Sequence, residues 1–300
     1  MLGSLTENFE EKYLWVTGVF TIIYQLCFFA VAFSFKFDKV TDFAGGTNFM
    51  VIAILTYFAS EGTDTRAYLA TMFILVWGAR LSGFLLYRIL KTEEDTRFDD
   101  MRNDFFKFLG FWVFQMIWVW TCSLPVTTTN SAGNSVFAPI FGSFTDFLAV
   151  FMFITGTIVE TVADIQKFAH RESKPKPLDI LRSGVWKYSR HPNYFGEILL
   201  WWGIYLLCLP VTSLTGVYAV ASPIFITWLL LFVSGIPLSE PAKEKKFVEA
   251  GEQAAYQEYI DSTSAVVPLP NDFYRSLPGF VKSTILMDFP IYRYKGVKTE

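Results

Sequence analysis

The sequence predicts an all-α, polytopic membrane protein with about seven transmembrane helices, cytoplasmic loops and a C-terminal amphipathic tail. Hydrophobic residues make up 52% of the 300 residues and charged residues only 18%, a balance that is not typical of soluble globular chains. The 32 Phe and nine Trp suit both lipid contact and the aromatic belts at the two membrane surfaces. Seven apolar stretches approach the roughly 20 residues that a helix needs to cross a bilayer.

These stretches fill most of the first four fifths of the chain. They are residues 13–34, 46–59, 68–90, 105–126, 144–163, 194–210 and 217–236. Because no repeat or Pro/Gly/Ser-rich linker divides them, we expect one transmembrane helical domain at 13–236. An N-terminal extension at 1–12 precedes this domain, and a cytoplasmic tail at 237–300 follows it. No small-residue cleavage pattern follows the first apolar run, so we expect that run to stay in the mature protein.

The distribution of basic residues predicts the orientation of the spans. Lys and Arg are concentrated in loop 91–107, in the connection 164–193 and in the tail, whereas loops 127–143 and 211–216 contain none. With seven spans, the basic segments all fall on one face, which the positive-inside rule makes cytoplasmic. A net charge of −3, without a stripe of cations, argues against a nucleic-acid partner.

The cysteines and histidines do not suggest a metal site. Cys27, Cys122 and Cys208 lie in apolar segments without CxxC spacing, and His170 and His191 are the only histidines. These are too few ligands for a structural zinc ion. We therefore expect no metal and three buried free thiols.

The densest group of polar residues occurs at residues 183–197. Arg190, His191, Asn193 and Glu197 lie there at the mouth of the apolar segment 194–210. Polar groups in such a position are costly and usually serve a function, so the stretch indicates a binding site.

A second polar group follows the fifth span. Glu160, Asp164, Lys167 and Arg171 recur along one stripe of a continuing helix. Such a stripe can form ion pairs within the helix, or it can bind a ribose and a phosphate. The mixed-charge loop after the third span contains two further arginines, Arg97 and Arg102. They too can lie on a solvated face or bind phosphate.

Two other features carry structural expectations. Arg80, near the middle of the third span, should face the bundle interior and pair with a carboxylate or a bound anion. In the tail, Tyr256 and Tyr259 lie three residues apart, which favours an amphipathic helix at the membrane interface.

Taken together, several motifs resemble those of the steroid 5-alpha-reductase-like membrane reductases. The similar branch, DUF1295, carries Ser-Gly-x-Trp-x-Tyr-Ser-Arg-His-Pro-Asn-Tyr-x-Gly-Glu, which residues 183–197 match. Shorter pieces extend the resemblance over about residues 35–270, including Trp77–Arg80, Asp164–Lys167 and Glu240. Arg-His-Pro-x-Tyr alone is also present in the isoprenylcysteine carboxyl methyltransferases, so Asn193 and Glu197 shift the balance toward reductases.

The resemblance implies a membrane-embedded oxidoreductase of lipid metabolism, in the endoplasmic reticulum or another organelle membrane. It implies NADPH bound on the cytoplasmic side, mainly by residues 144–236, and hydride transfer to a C=C bond of a lipophilic steroid-, sterol- or enoyl-lipid-like substrate. Tyr87 would stabilise negative charge on the substrate oxygen, and Glu197 would orient the nicotinamide. The expected cofactor-binding residues are Arg97, Asp164, Lys167, Arg171, Arg190, His191, Asn193 and Tyr194.

One departure from the family concerns the substrate. The mammalian steroid reductases bind the steroid ketone with an acidic residue in an early span, but segments 13–34 and 46–59 contain no Asp or Glu. We expect a substrate pocket that opens to lipid between the early spans. Two alternatives remain: a lipid or prenyl-cysteine methyltransferase that uses S-adenosylmethionine, and a non-catalytic subunit whose membrane-complex partners bind residues 1–12 and 271–300.

Overall fold

Helices account for all the regular secondary structure in the part of the chain that the structure, a computed structural model, describes. That part comprises residues 2–36, 40–60, 64–92, 101–131, 139–211 and 218–296. The α-helices are α1 (Leu2–Ser34), α2 (Val40–Ala59), α3 (Thr65–Thr92), α4 (Phe105–Ser131), α5 (Phe144–Glu172), α6 (Pro192–Cys208), α7 (Ala221–Trp228), α8 (Ile236–Glu249), α9 (Gln253–Ser262), α10 (Asn271–Ser276) and α11 (Gly279–Thr284). The predicted all-α class is confirmed.

Six helical segments among the described residues are long and apolar enough to cross a membrane. They are Glu11–Ser34, Val40–Ala59, Thr65–Leu85, Phe105–Ser131, Phe144–Glu172 and Tyr218–Glu249. Each overlaps one of the seven predicted spans, which confirms a polytopic membrane fold. The remaining predicted span, residues 194–210, forms α6. This helix has 17 residues and is therefore about 25 Å long, shorter than a hydrocarbon core of about 30 Å.

The chain divides into two compact units, both of which draw on the predicted membrane domain. The first unit comprises Met1–Val150 and Gly203–Phe225, and the second comprises Phe151–Trp202 and Ile226–Glu300. Helices α1 to α4 pack together in the first unit. The second contains most of α5, the start of α6, and helices α8 to α11.

A buried group of amide side chains connects three helices of the first unit. Gln115 on α4 donates from Nε2 to Gln25 Oε1 (3.2 Å) and to the carbonyl oxygen of Thr41 (2.9 Å). Gln25 on α1 donates in turn to Asn48 Oδ1 on α2 (3.0 Å). Hydrogen bonds of this kind between spans stabilise helix packing in lipid. No sequence pattern predicted that these three side chains would meet.

A buried ion pair joins the starts of α3 and α5. Arg66 donates from Nε and Nη2 to the two carboxylate oxygens of Asp146, each over 2.8 Å. Asp146 also accepts hydrogen bonds from the backbone N–H groups of Gly142 and Ser143, so its negative charge is well compensated. The contact places the two helix starts on one side of the first unit, as alternating spans require.

For individual residues of the first unit, the expected burial of Cys27 is wrong, whereas the expected pairing of Arg80 stays a prediction. Cys122 and Cys208 are buried as expected, but Cys27 is exposed because its face of α1 is not covered by another helix. Arg80 is only half-buried, and its guanidinium lies over the ring of Phe84, 5.9 Å from the ring centre.

Aromatic residues form the core of the tail in the second unit. Phe247, Tyr256, Tyr259 and Ile260 make one buried cluster. The two tyrosines are therefore buried by protein. Their spacing of three residues correctly placed them on one helix face, which packs against α8, and a position of α9 at the membrane interface stays a prediction.

Two glycines allow α5 and α6 to pack with their backbones in contact. A Cβ on Gly156 would lie 2.5 Å from the carbonyl oxygen of Gly196, and a Cβ on Gly196 would lie 2.6 Å from that of Gly156. Only small residues permit such an approach between helices. Consequently, the polar residues after the fifth span lie beside those at the start of α6.

Candidate functional site

The signature stretch begins with a turn that is fixed to the end of α5. Gly184 has φ +59°, in the left-handed region, and a Cβ there would overlap the amide of Gln166. That amide accepts a hydrogen bond from the N–H of Val185 (3.0 Å). The indole of Trp186 donates to the carbonyl oxygen of Ala163 (3.0 Å). Glycine is therefore required at this turn both for its conformation and for space.

Arg190 is buried and directs all three guanidinium nitrogens toward protein acceptors. Nε lies 2.8 Å from Glu240 Oε1, and Nη2 lies 2.8 Å from Asp288 Oδ1. Nη1 donates to the carbonyl oxygens of Ile260 (3.2 Å) and Thr263 (3.0 Å). Burial by itself would lower the pKa of Arg190, but the charges of Glu240 and Asp288 hold it well above its ordinary value. Arg190 is thus a cation held inside the second unit.

His191 shares the carboxylate oxygen that binds Arg190. Its Nε2 lies 2.9 Å from Glu240 Oε1, and its ring stacks on Tyr194 with 5.1 Å between centres and 4° between planes. Burial lowers the pKa of His191 below its ordinary value of 6.5, and the hydrogen bond to Glu240 offsets only part of this effect. The ring is therefore neutral at pH 7, and Nε2–H donates to Glu240.

The backbone of the signature stretch is also bonded to the chain after α9. The N–H of Arg190 donates to the carbonyl oxygen of Ser264 (2.8 Å). The hydroxyl of Ser189 donates to the carbonyl oxygen of Val266 (2.8 Å). These bonds fix the chain on which Asn193 and Tyr194 follow one turn later.

Six of the predicted site residues meet where α5 ends and α6 begins. This polar cluster consists of Asp164, Lys167, Arg171, Asn193, Tyr194 and Glu197. Asn193 donates from Nδ2 to Asp164 Oδ1 (3.4 Å), while its Oδ1 is buried and has no hydrogen-bond partner among the residues that the structure describes. Tyr194 is within electrostatic range of Glu197, Asp164 and Arg171.

Lysine 167 and Arg171 give the polar cluster two cations. The Nζ of Lys167 lies 5.4 Å from the ring centre of Trp186, a distance at which the ring face attracts a cation. Arg171 is exposed and Lys167 is half-buried. Both can therefore bind an anion at this end of the second unit.

Four predicted site residues remain: Arg190, His191, Tyr87 and Arg97. Arg190 and His191 belong to the buried network, so a direct contact with a cofactor stays a prediction for both. Tyr87 is exposed on α3, in the first unit. Arg97 lies outside the described residues.

Two residues that shape the site were not identified from the sequence. Gln166 lies on α5 between Asp164 and Lys167, which were predicted to bind the cofactor. The positions of these two neighbours were the only sequence signal for Gln166. Asp288 lies 98 residues from Arg190 along the chain. It follows the short helix α11, and nothing near it in sequence marks it as a partner of the signature.

One family model matches most of the chain in a single continuous stretch. Residues 28–263 match the family described as "Protein of unknown function (DUF1295)". The chain belongs to the DUF1295 family. This confirms the branch that the signature indicated, and it makes the protein a membrane-spanning member of DUF1295. The matched part of this DUF1295 protein runs from α1 to α9 and ends before α10. No curated protein and no solved structure matches the chain.

Proposed function

We propose that this DUF1295 protein is a membrane-embedded, NADPH-dependent reductase of a C=C bond in a lipophilic substrate. The observation that supports it best is the polar cluster, because it combines two cations, two carboxylates, an amide and a phenol at one point of the second unit. NADPH carries complementary groups: phosphates, ribose hydroxyls and a carboxamide. When bound, it supplies the hydride that such a reduction needs.

The residues of the polar cluster fit these groups individually. Lys167 and Arg171 would bind phosphate oxygens through charge-assisted hydrogen bonds. Asp164 would accept hydrogen bonds from a ribose. The buried Oδ1 of Asn193 has no partner in the described part of the chain, and a buried acceptor in that state favours a ligand donor such as a carboxamide N–H.

Two residues would act on the reacting groups. Glu197 follows Asn193 by one helical turn and is half-buried, a position suited to orienting the nicotinamide. Tyr87 would donate its phenolic hydrogen to the substrate oxygen, on which negative charge develops as the hydride adds to a conjugated C=C bond. Both roles come from the family resemblance and the chemistry of the side chains.

The proposal is tested by ligand-dependent thermal unfolding of the full-length protein in detergent. NADPH, NADH and S-adenosylmethionine are added separately, and a ligand that binds the native state raises Tm. At 100 times its Kd, NADPH would stabilise the native state by about 2.7 kcal/mol. Stabilisation by S-adenosylmethionine alone would refute the reductase and support a methyltransferase. No shift with any of the three would support the accessory-subunit alternative.

Variants connect the result to the polar cluster. Asn193→Ala should reduce the shift produced by NADPH, because it removes both the amide and its bond to Asp164. Asn103→Ala is the matched control, since Asn103 is exposed in a turn of the first unit. An unchanged NADPH affinity in Asn193→Ala would mean that this part of the signature is structural, and the assignment of the cofactor site would fail.

A further inference from the structure

The last described segment of the chain contributes to the network around the signature. We call residues 271–296 the C-terminal strap; it contains α10, α11 and the 3₁₀ turn Pro290–Tyr292. The strap lies entirely beyond residues 28–263, the part that matches the family model. It is therefore an element of this chain that the family pattern does not describe.

Asp288 is the residue through which the strap reaches the signature. Its two carboxylate oxygens lie 2.8 Å from Nη2 and 3.3 Å from Nη1 of Arg190, an arrangement that uses the forked geometry of the guanidinium. The hydroxyl of Tyr274, also in the strap, donates to Oδ2 of Asp288. Since Arg190 is buried, Asp288 is one of the two carboxylates that balance its charge, and Glu240 is the other.

Independent contacts hold Asp288 in this position. Arg293 pairs with Glu244 on α8 (2.9 Å), and the N–H of Tyr294 donates to the same carboxylate (2.6 Å). The ring of Phe289 packs against Phe232 in the last membrane span, with 5.0 Å between centres. Asp288 therefore lies on a segment that is anchored directly after it to α8 and to the helical turn that precedes α8.

A short series of contacts leads from Asp288 to the polar cluster. Arg190 and His191 bind the same oxygen of Glu240. The ring of His191 stacks on Tyr194, which is a member of the polar cluster. Without the charge of Asp288, Glu240 would remain as the one carboxylate of this pair beside Arg190, and the same oxygen of Glu240 also binds His191.

We propose that Asp288 is a positioning residue of the nucleotide site. The strap fixes Arg190, and through Glu240 and His191 it fixes Tyr194 and the start of α6. The consequence for NADPH rests on the proposed function, whereas the mechanical link between Asp288 and residues 183–197 does not.

The experiment compares Asp288→Asn, Asp288→Glu and Asp272→Asn in the full-length protein in detergent. Hydrogen exchange of residues 183–197 is followed by mass spectrometry without nucleotide, and the Kd for NADPH is measured separately. Asp288→Asn should speed exchange in residues 183–197 and weaken NADPH binding by about 10- to 100-fold, as small misplacements of positioning groups do. Asp288→Glu should restore part of both. Asp272→Asn should behave as the wild type, because Asp272 is exposed on the same strap.

The two measurements separate failure of this proposal from failure of the proposed function. If the wild type binds no NADPH, the proposed function fails, while the exchange data still test the link. If Asp288→Asn leaves both the Kd and the exchange of residues 183–197 unchanged, the positioning role is refuted. A purely structural role would lower Tm and speed exchange throughout residues 226–296 without changing the Kd of the folded fraction, and that result would also refute it.

A milder variant covers the case in which Asp288→Asn does not fold. Tyr274→Phe removes one hydrogen bond to Asp288 and leaves both ion pairs of Arg190 in place. We expect a smaller increase in exchange, confined to residues 183–197 and the strap. No change in residues 183–197 would overturn the proposal.

Discussion

Replacing Gly196 by Ala should force α5 and α6 apart. The new Cβ would lie 2.6 Å from the carbonyl oxygen of Gly156 and 2.6 Å from the backbone N of Glu160, whereas ordinary contacts are about 3.5–4.0 Å. Because both atoms belong to the backbone of α5, no side chain can move away. The helices must separate by about 1 Å, and overpacking of this kind costs about 1–3 kcal/mol.

The assay is thermal unfolding beside a matched Gly→Ala variant. Gly110 lies in α4, and a Cβ there would meet nothing within 4 Å, so Gly110→Ala has the gain in helix propensity without the overlap. We expect Gly196→Ala to melt about 2–6 °C below Gly110→Ala. It should also bind NADPH more weakly, since the bond between Asn193 and Asp164 crosses the two helices. If the two variants melt at the same temperature, the inferred close packing of α5 and α6 is wrong.

Two further predictions concern buried ionisable groups. Arg66→Met should destabilise the protein by about 3–5 kcal/mol in thermal unfolding, because it leaves the buried Asp146 without its counter-ion. The double variant Arg66→Met/Asp146→Leu should recover much of the loss. Equal stability of the single variant and the wild type would contradict the role of the pair. His191 has a lowered pKa in the folded state, so below its ordinary value of 6.5 the unfolded chain binds a proton that the folded protein does not, and stability should fall as the pH falls. The decrease in Tm between about pH 7.5 and about pH 5.5 should be smaller in His191→Gln than in the wild type, and parallel curves would show that His191 does not contribute.

The membrane helices could be predicted because their signal is local. A run of apolar residues long enough to cross a bilayer can be recognised without knowing the rest of the fold. Six of the seven predicted runs are spans by length and composition. Members of the polar cluster could also be predicted from the sequence, since Asp164, Lys167 and Arg171 recur at helical spacing and Asn193 lies in a recognisable signature. Both patterns depend on residues that are close in sequence.

The charge partners could not be predicted for the opposite reason. Asp146 lies 80 residues from Arg66, and Asp288 lies 98 residues from Arg190. Each pairing depends on how distant helices pack, and many carboxylates were equally available to each arginine. Tyr256 and Tyr259 illustrate a related difficulty. Their spacing defines one face of a helix but does not show whether lipid or protein covers that face.

The inward orientation of Arg190 and His191 changes how the signature should be used to compare proteins. Their charged and polar atoms bind Glu240, Asp288 and backbone carbonyls, and so hold α6, α8 and the strap together, while the ring of His191 stacks on Tyr194 of the polar cluster. Arg190 and His191 thus contribute to the packing of this chain, and a contact of either with a cofactor stays a prediction. The identity of the reaction is better sought in the side chains that remain available to a ligand, and Asn193 is the first of these after the shared Arg-His-Pro triplet.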